Sequence, residues 1–258
     1  MSTCDQLLTD AVYPVINGLL RSGTISNWFF IRYSDPDFHL RIRLELNGND
    51  KMSHALDSMN RRVLPLCRDR ILHRVTIDTY ERELERYGAN TIETTERLFD
   101  IDSHCVCQLL RLLLNQGKGP DRWRLAFIWI DALLNAFGLN VEQKRELMAK
   151  LSNAYLCEFG YNEHNIKPLA KRYRHLSDMI DQMLNGNNID KACSVVIRRY
   201  FNKIKRLMMT TDVKQLNIPS ILHMSMNRMF ASQNRLNELV LYYCLERHYR
   251  KEVKRQKR

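Results

Sequence analysis

The chain has 258 residues, of which 45% are hydrophobic, so it is long and apolar enough to fold around a sizeable core. Its 40 Lys and Arg residues against 29 Asp and Glu residues give a net charge of +11, which favours an acidic partner. The 7 cysteines form no C-x-x-C pair, which argues against a zinc site or a disulfide framework and favours a reducing cytoplasm. No apolar run approaches the roughly 20 residues that span a bilayer.

The first ninety residues are predicted to mix helix and strand. Apolar spacing predicts amphipathic helices over 3–21 and from Met52 to Leu66. Between them, two runs of strand-forming residues flank a turn at Ser34-Asp35-Pro36-Asp37, so we expect a hairpin of 28–33 with 40–46. A further strand is expected over 72–80, where Val75 and Ile77 alternate with polar residues.

From Asn90 onward the sequence is typical of helices only. We expect helices over 92–99, 104–115, 121–137, 142–159, 164–184, 190–209, 220–231 and 233–253. Asp102 and Ser103 are expected to cap the helix over 104–115. The predicted fold class is therefore α+β, with a small, mainly antiparallel sheet in the N-terminal third followed by a larger all-helical portion. We expect one domain over 1–258, made of a mixed part (1–90) and a helical part (91–258).

The second predicted strand carries an arginine pair. Leu40, Ile42, Leu44 and Leu46 alternate with polar residues, so Arg41 and Arg43 project from one face, about 7 Å apart, with His39 on the same face. Two guanidinium groups at that spacing can meet one carboxylate-bearing ligand. A solvated strand face with ion pairs at its rim is the alternative interpretation.

Two later stretches also hold candidate residues. The segment Thr79–Gly88 alternates Glu and Arg, which is typical of surface ion pairs. On a helix beginning near Pro219, His223 and Asn227 lie four residues apart on one face, with Arg228 adjacent. A histidine among methionines is often a packed core residue, although histidine also suits proton transfer near neutrality. Motifs for nucleotide, nicotinamide, zinc-protease and serine-hydrolase chemistry are absent.

Three stretches together resemble the C-terminal elimination domain of class I lanthipeptide dehydratases, a family that also includes stand-alone elimination proteins and pyridine-forming cycloaddition enzymes. They are WFFIRYSDPDFHLRIRLEL (28–46), TYERELERYG (79–88) and ILHMSMNRMF (221–230), in the family's order. The resemblance implies that Arg41, Arg43 and Arg86 bind glutamate and stabilise charge, and that His223 transfers a proton. Arg82 is the rival to Arg86, and the residues implied to help bind substrate are His39, Arg82, Glu83, Asn227 and Arg228.

In that family, a Ser or Thr of a precursor peptide is first esterified with glutamate from glutamyl-tRNA, and the elimination domain then expels the glutamate. The product residue is dehydroalanine or dehydrobutyrine. The resemblance implies as partners a precursor peptide, leader plus core, and a separate glutamyl-tRNA-dependent glutamylation protein, with a cyclase and a second copy of the chain as further candidates. No cofactor, metal, membrane contact or direct tRNA binding is expected.

Two alternative functions stay open at this point. A thiopeptide cycloaddition enzyme of the same fold would join two dehydroalanines into a nitrogen heterocycle, but the resemblance implies that such an enzyme need not retain the arginine and histidine set. A non-catalytic RNA- or peptide-binding module is favoured only by the charge, of which the tail from Glu246 contributes seven basic against two acidic residues.

Overall fold

The computed structural model describes residues 3–35, 37–115, 122–162, 164–185 and 189–257, and its elements confirm the predicted α+β class. Pro36 of the predicted turn lies outside the described residues. The chain divides into two units. The first comprises Met1–Gly119 with Gln215–Asn217, and the second comprises Pro120–Lys214 with Ile218–Arg258.

The predicted hairpin is present in the first unit. Strand β1 (Ile25–Tyr33) pairs antiparallel with β2 (His39–Leu46), in a register that places Phe29 opposite Arg43 and Ile31 opposite Arg41. Residues 28–32 of β1 are all buried, because helices cover the strand. On β2 no residue is fully buried, so this strand presents its arginines near the surface of the unit.

Helices of the first unit pack around β1. Helix α1 (Thr3–Gln6), a π-helical stretch (Leu7–Val12) and α2 (Tyr13–Arg21) form the continuous helical run predicted over 3–21. Pro14 follows the π-helical stretch, where a residue without an N–H shifts the hydrogen-bond ladder. After a 3-10 turn (Asn49–Lys51), α3 (Met52–Arg68) packs against α2.

The predicted break between two helices at Asp102 and Ser103 is wrong. The short helix α4 (Leu84–Tyr87) is followed by α5, which runs without interruption over Ile92–Asn115 and packs on β1. Both predicted cap residues are buried in mid-helix, and the Ser103 hydroxyl accepts a hydrogen bond of 3.3 Å from the Phe30 backbone N–H. The Ser103 hydroxyl, which the sequence favoured as a helix cap, therefore binds the backbone of β1 instead.

The strand predicted over 72–80 is also wrong. Its residues do not pair with any other strand in the described part of the chain. The sheet there has two strands, β1 and β2. Val75 and Ile77, which were expected to face a core, are 47% and 63% exposed. The alternating sequence is present, but it has no neighbouring strand to pair with, and β-propensity alone does not supply one.

The second unit is helical throughout its described residues. Its helices are α6 (Arg122–Ala136), α7 (Val141–Glu158), α8 (Lys167–Leu184), α9 (Lys191–Met208), α10 (Ile218–Met229) and α11 (Asn234–Gln256). A 3-10 turn (Val213–Gln215) precedes α10. Helices α7 and α11 pack along each other, and α6 contacts α8, α9, α10 and α11. None of the described helices has the length and apolarity to cross a membrane.

Candidate active site

Arg41 and its aromatic support lie at the turn end of the hairpin. The Arg41 guanidinium carbon is 3.8 Å from the centroid of the Tyr33 ring, and the His39 ring stacks on the same tyrosine at 5.3 Å. Arg41 Nε donates to His39 Nε2 at 3.2 Å, so the proton of His39 is on Nδ1, which donates to the Asp37 carbonyl at 2.8 Å. His39 therefore orients Arg41, and the charge of the guanidinium stays unneutralised.

Arg43 lies two residues along the same strand face, beside an aromatic group that sequence reasoning missed. Its guanidinium carbon is 5.1 Å from the centroid of Tyr80, whose ring meets Phe29 edge-on at 5.6 Å. The Arg43 Nε atom is buried and has no hydrogen-bond partner among the described residues. Burial, together with the neighbouring Glu96 carboxylate, raises the pKa of Tyr80 well above its ordinary value, so this phenol stays protonated.

A difference in ion pairing separates these two arginines from the other arginines predicted for the site. In the part of the chain that the structure describes, neither Arg41 nor Arg43 has a carboxylate within ion-pair distance. Arg82, in contrast, lies 2.9 Å from the nearly buried carboxylate of Glu96. The β2 pair is therefore the part of the cluster with unneutralised positive charge.

The charged segment after Tyr80 holds its members in pairs. Arg82 has a second, longer contact with Glu93 at 3.7 Å, while Arg86 lies 3.3 Å from Glu83, with both side chains roughly 40% exposed. The Arg86 guanidinium also lies over the Tyr87 ring at 5.4 Å. Arg82 thus has a partner on α5, whereas the Arg86–Glu83 pair lies at the surface, where an ion pair contributes little to stability.

The predicted histidine, in the second unit, forms a dyad with a carboxylate that the sequence did not single out. His223 Nδ1 lies 2.9 Å and 3.0 Å from the two oxygens of Glu238 on α11. The His223 side chain is 27% exposed, whereas that of Glu238 is fully buried. Because Glu238 accepts at Nδ1, Nε2 is the ring nitrogen left to face a reacting group.

Two tyrosines complete the surroundings of Glu238. The hydroxyl of Tyr155 donates to Glu238 Oε2 at 2.7 Å, and that of Tyr242 donates to the same oxygen at 3.0 Å. Burial and the Glu238 charge raise the pKa of both phenols, so they remain donors. Three donors thus hold one buried carboxylate in place, and the carboxylate fixes the tautomer and orientation of His223.

The other two residues predicted on α10 are less accessible. Arg228 is fully buried and Asn227 is partly buried, and both have interactions within the protein. Burial favours a packing role for Arg228. Their assignment to substrate binding stays a prediction.

Positive charge is concentrated in the second unit. Its sequence has 25 Lys and Arg against 13 Asp and Glu, a net of +12, whereas the first unit has 15 against 16. Helix α9 has six basic and no acidic residues, and Lys191, Arg198 and Lys205 form an exposed row about 10 Å apart. Within the described residues these three have no ion-pair partner.

The described residues contain no cluster of three or more His, Cys, Asp or Glu side chains that could hold a metal ion. All seven cysteines are free thiols.

Comparison with known proteins finds relatives in lantibiotic biosynthesis. The chain is 26% identical over 222 residues to the subtilin biosynthesis protein SpaB of Bacillus subtilis, which covers 84% of this chain and 21% of that protein. It is 25% identical over 225 residues to the nisin biosynthesis protein NisB of Lactococcus lactis, covering 86% and 22%. The epidermin biosynthesis protein EpiB of Staphylococcus epidermidis is 26% identical over 92% of this chain and 24% of its own. The chain thus spans about a quarter or less of the length of these relatives.

Solved structures share the fold. The tRNA-dependent lantibiotic dehydratase MibB from Microbispora superposes with a TM-score of 0.65 and 22% identity, over 99% of this chain and 27% of that chain. TsrL superposes with a TM-score of 0.65 and 14% identity, over 98% and 92%. The family described as lantibiotic biosynthesis dehydratase, C-terminal, matches residues 1–249. The chain therefore belongs to the C-terminal domain family of lantibiotic dehydratases.

Proposed function

We propose that this protein eliminates glutamate from glutamylated Ser or Thr residues of a ribosomally made precursor peptide. The observation that carries the proposal is the arginine pair of β2, whose two guanidinium groups share one strand face and have no carboxylate partner among the described residues. A strand that holds two unneutralised cations beside aromatic rings suits an anionic ligand with more than one carboxylate, as glutamate is. Membership of the dehydratase family supports the same reaction.

The reaction is a β-elimination. A base removes the α-proton, the C–H electrons form the new Cα=Cβ double bond, and the Cβ–O bond breaks so that glutamate leaves as a carboxylate. Arg41 and Arg43 are assigned to holding the departing dicarboxylate and to stabilising the enolate-like charge that develops. Arg86 is assigned to the same task, because the family resemblance implies that role and its side chain is partly exposed.

His223 is assigned to proton transfer. Its Nδ1 donates to the Glu238 carboxylate, which stabilises the imidazolium formed when Nε2 takes up a proton. The lyase assignment requires only that one histidine be oriented for the transfer and that the arginines hold the leaving group.

The proposed partners follow from this chemistry. A glutamylation activity must supply the glutamyl ester from glutamyl-tRNA, and the cytoplasm is the compartment in which that tRNA is available. The exposed basic row of α9 supports docking of an acidic segment of the leader peptide. Reversing two charges (Arg198→Glu with Lys205→Glu) is expected to weaken leader binding at low salt, and unchanged binding would remove this part of the proposal.

Mass spectrometry of a peptide that carries O-glutamyl-serine, incubated with the wild-type protein, tests the function. Loss of glutamate with formation of dehydroalanine is the expected result. Persistence of the ester, while a bis-dehydroalanine peptide is cyclised, would move the assignment to cycloaddition. Persistence of the ester without cyclisation, together with salt-sensitive RNA binding, would favour a binding module.

A further inference from the structure

One stretch of the first unit has the sequence of a strand and no strand to pair with. We define the unpaired segment as residues 74–81. Among the described residues, none of its backbone N–H or C=O groups bonds to another backbone group, and the Thr79 N–H donates only to the adjacent Asp78 carboxylate at 2.8 Å. The chain makes no bend or turn within 74–81; the first turn follows at Glu83, where the Leu84 N–H donates to the Arg82 carbonyl at 2.9 Å. The segment is therefore a linear run with hydrogen-bonding capacity along its length.

Both faces of the unpaired segment are open to solvent as far as Thr79. Residues 74–79 are all exposed, whereas a strand within a folded sheet normally covers every second side chain. Val75 and Ile77, which favour paired strands, are among the most exposed apolar side chains of the unit. The segment has no proline or lysine, and its charged residues Arg74, Asp78 and Glu81 leave the central run Val75-Thr76-Ile77 without a charge that would protect a free edge. It is thus suited to accept another strand.

The unpaired segment leads directly to the arginine cluster. Tyr80, near its end, contacts both Phe29 of β1 and the Arg43 guanidinium of β2. A strand paired with the segment would lie about 4.8 Å from it. Residues of that strand that continue past Tyr80 would reach the surroundings of Arg43.

We propose that the unpaired segment is a docking strand on which the peptide substrate binds in an extended conformation, backbone to backbone. The inference rests on the proposed function, which supplies a linear peptide as the occupant, and continuity with Arg43 favours that occupant over a second copy of the chain. Backbone pairing is independent of side-chain identity, so a docking strand accepts a glutamylated residue in varied sequence contexts. Two copies paired through this segment would instead block the edge beside Arg43.

Hydrogen–deuterium exchange tests the docking directly. The probe is a synthetic linear peptide with one O-glutamyl-serine, and its matched control has the same side chains with N-methyl groups on alternate backbone amides. Amides of 74–81 are expected to exchange freely in the protein alone and to become protected with the probe but not with the N-methylated control. Protection that appears without peptide and rises with protein concentration would overturn the proposal in favour of pairing between copies.

A proline at Ile77 supplies the kinetic test. The Ile77 N–H is unpaired and its side chain exposed, so Ile77→Pro removes no intramolecular hydrogen bond, and an unchanged melting temperature verifies the fold. In Ile77→Pro we expect KM for the long peptide to rise about tenfold, because one or two backbone hydrogen bonds to the peptide are lost, and kcat to stay unchanged. Ile77→Ala, which keeps the backbone N–H, should raise KM less. The rate of elimination from N-acetyl-O-glutamyl-serine methylamide, which is too short to pair along the segment, should be the same in Ile77→Pro and the wild type.

The outcomes separate this inference from the proposed function. If the wild-type protein eliminates glutamate from the long peptide without protecting 74–81, the docking strand is refuted and the function stands. If the peptide protects the segment and no glutamate is lost, the function is refuted and docking of a linear peptide stands.

Discussion

Replacing Glu238 by glutamine should separate the orientation of His223 from the stability of the helices around it. The glutamine keeps the shape of the side chain but removes the charge that accepts from His223, Tyr155 and Tyr242. Each charge-assisted bond becomes a neutral one, at roughly 1 kcal/mol apiece, and the relief of burying a charge offsets part of that loss. We expect the variant to be about 1–2 kcal/mol less stable and to remain folded.

The effect on catalysis should be larger than the effect on stability. An amide in place of the carboxylate no longer fixes the tautomer of His223, so a loss of about 10²-fold in kcat, with little change in KM, is expected from general acid–base chemistry. The assay is the rate of glutamate release from a glutamyl-serine peptide, with Glu158→Gln, which alters an exposed pair with Arg235, as the matched control. A folded Glu238→Gln protein with the wild-type rate would refute the role of the dyad.

Further predictions concern stability and reactivity. Arg82→Ala leaves the nearly buried Glu96 without its partner and should lower the free energy of unfolding by about 1–2 kcal/mol, measured by denaturant titration, whereas no such loss is expected if the pair is mere surface decoration. Burial raises the pKa of the Cys244 thiol to about 12, so iodoacetamide should modify the exposed Cys157 and spare Cys244 until the protein unfolds. Burial opposes ionisation of Asp181, but hydrogen bonds from a lysine and a histidine of α11 hold its pKa below the ordinary value. The stability that this lowered pKa contributes is fully present above the unfolded-state value of 3.8 and is lost as the pH falls below it, so the free energy of unfolding should fall less steeply there in Asp181→Asn, measured by denaturant titration at several pH values.

Local patterns predicted the hairpin because its information is contained in adjacent residues. Alternation in β2 and the turn residues before it fix both the strand and the face that carries Arg41 and Arg43. The same alternation over 72–80 misled, because whether a strand forms depends on a neighbour that the local sequence does not encode. Likewise Ser103 has the character of a helix cap, and its contact with the backbone of β1 becomes visible only in the fold.

The candidate site was predictable to a different extent in each unit. The resemblance to a known family pointed to the arginines and His223, and their roles stay proposals. Tyr80 and Glu238 were missed, since each acquires its importance from a partner distant in sequence. A single acidic residue within the apolar run LNELVLYYCL was the one signal that could have drawn attention to Glu238.

In the proposed reaction, the unpaired arginines of β2 hold the departing glutamate. Single-turnover elimination from a glutamyl-serine peptide, compared between Arg43→Gln and Arg62→Gln, an exposed arginine of α3, tests it most directly. We expect the Arg43 variant to slow glutamate release by about 10²- to 10³-fold, so that the glutamyl ester persists, and the Arg62 variant to match the wild type. Equal rates in the two variants, with both proteins folded, would show that Arg43 does not hold the departing glutamate.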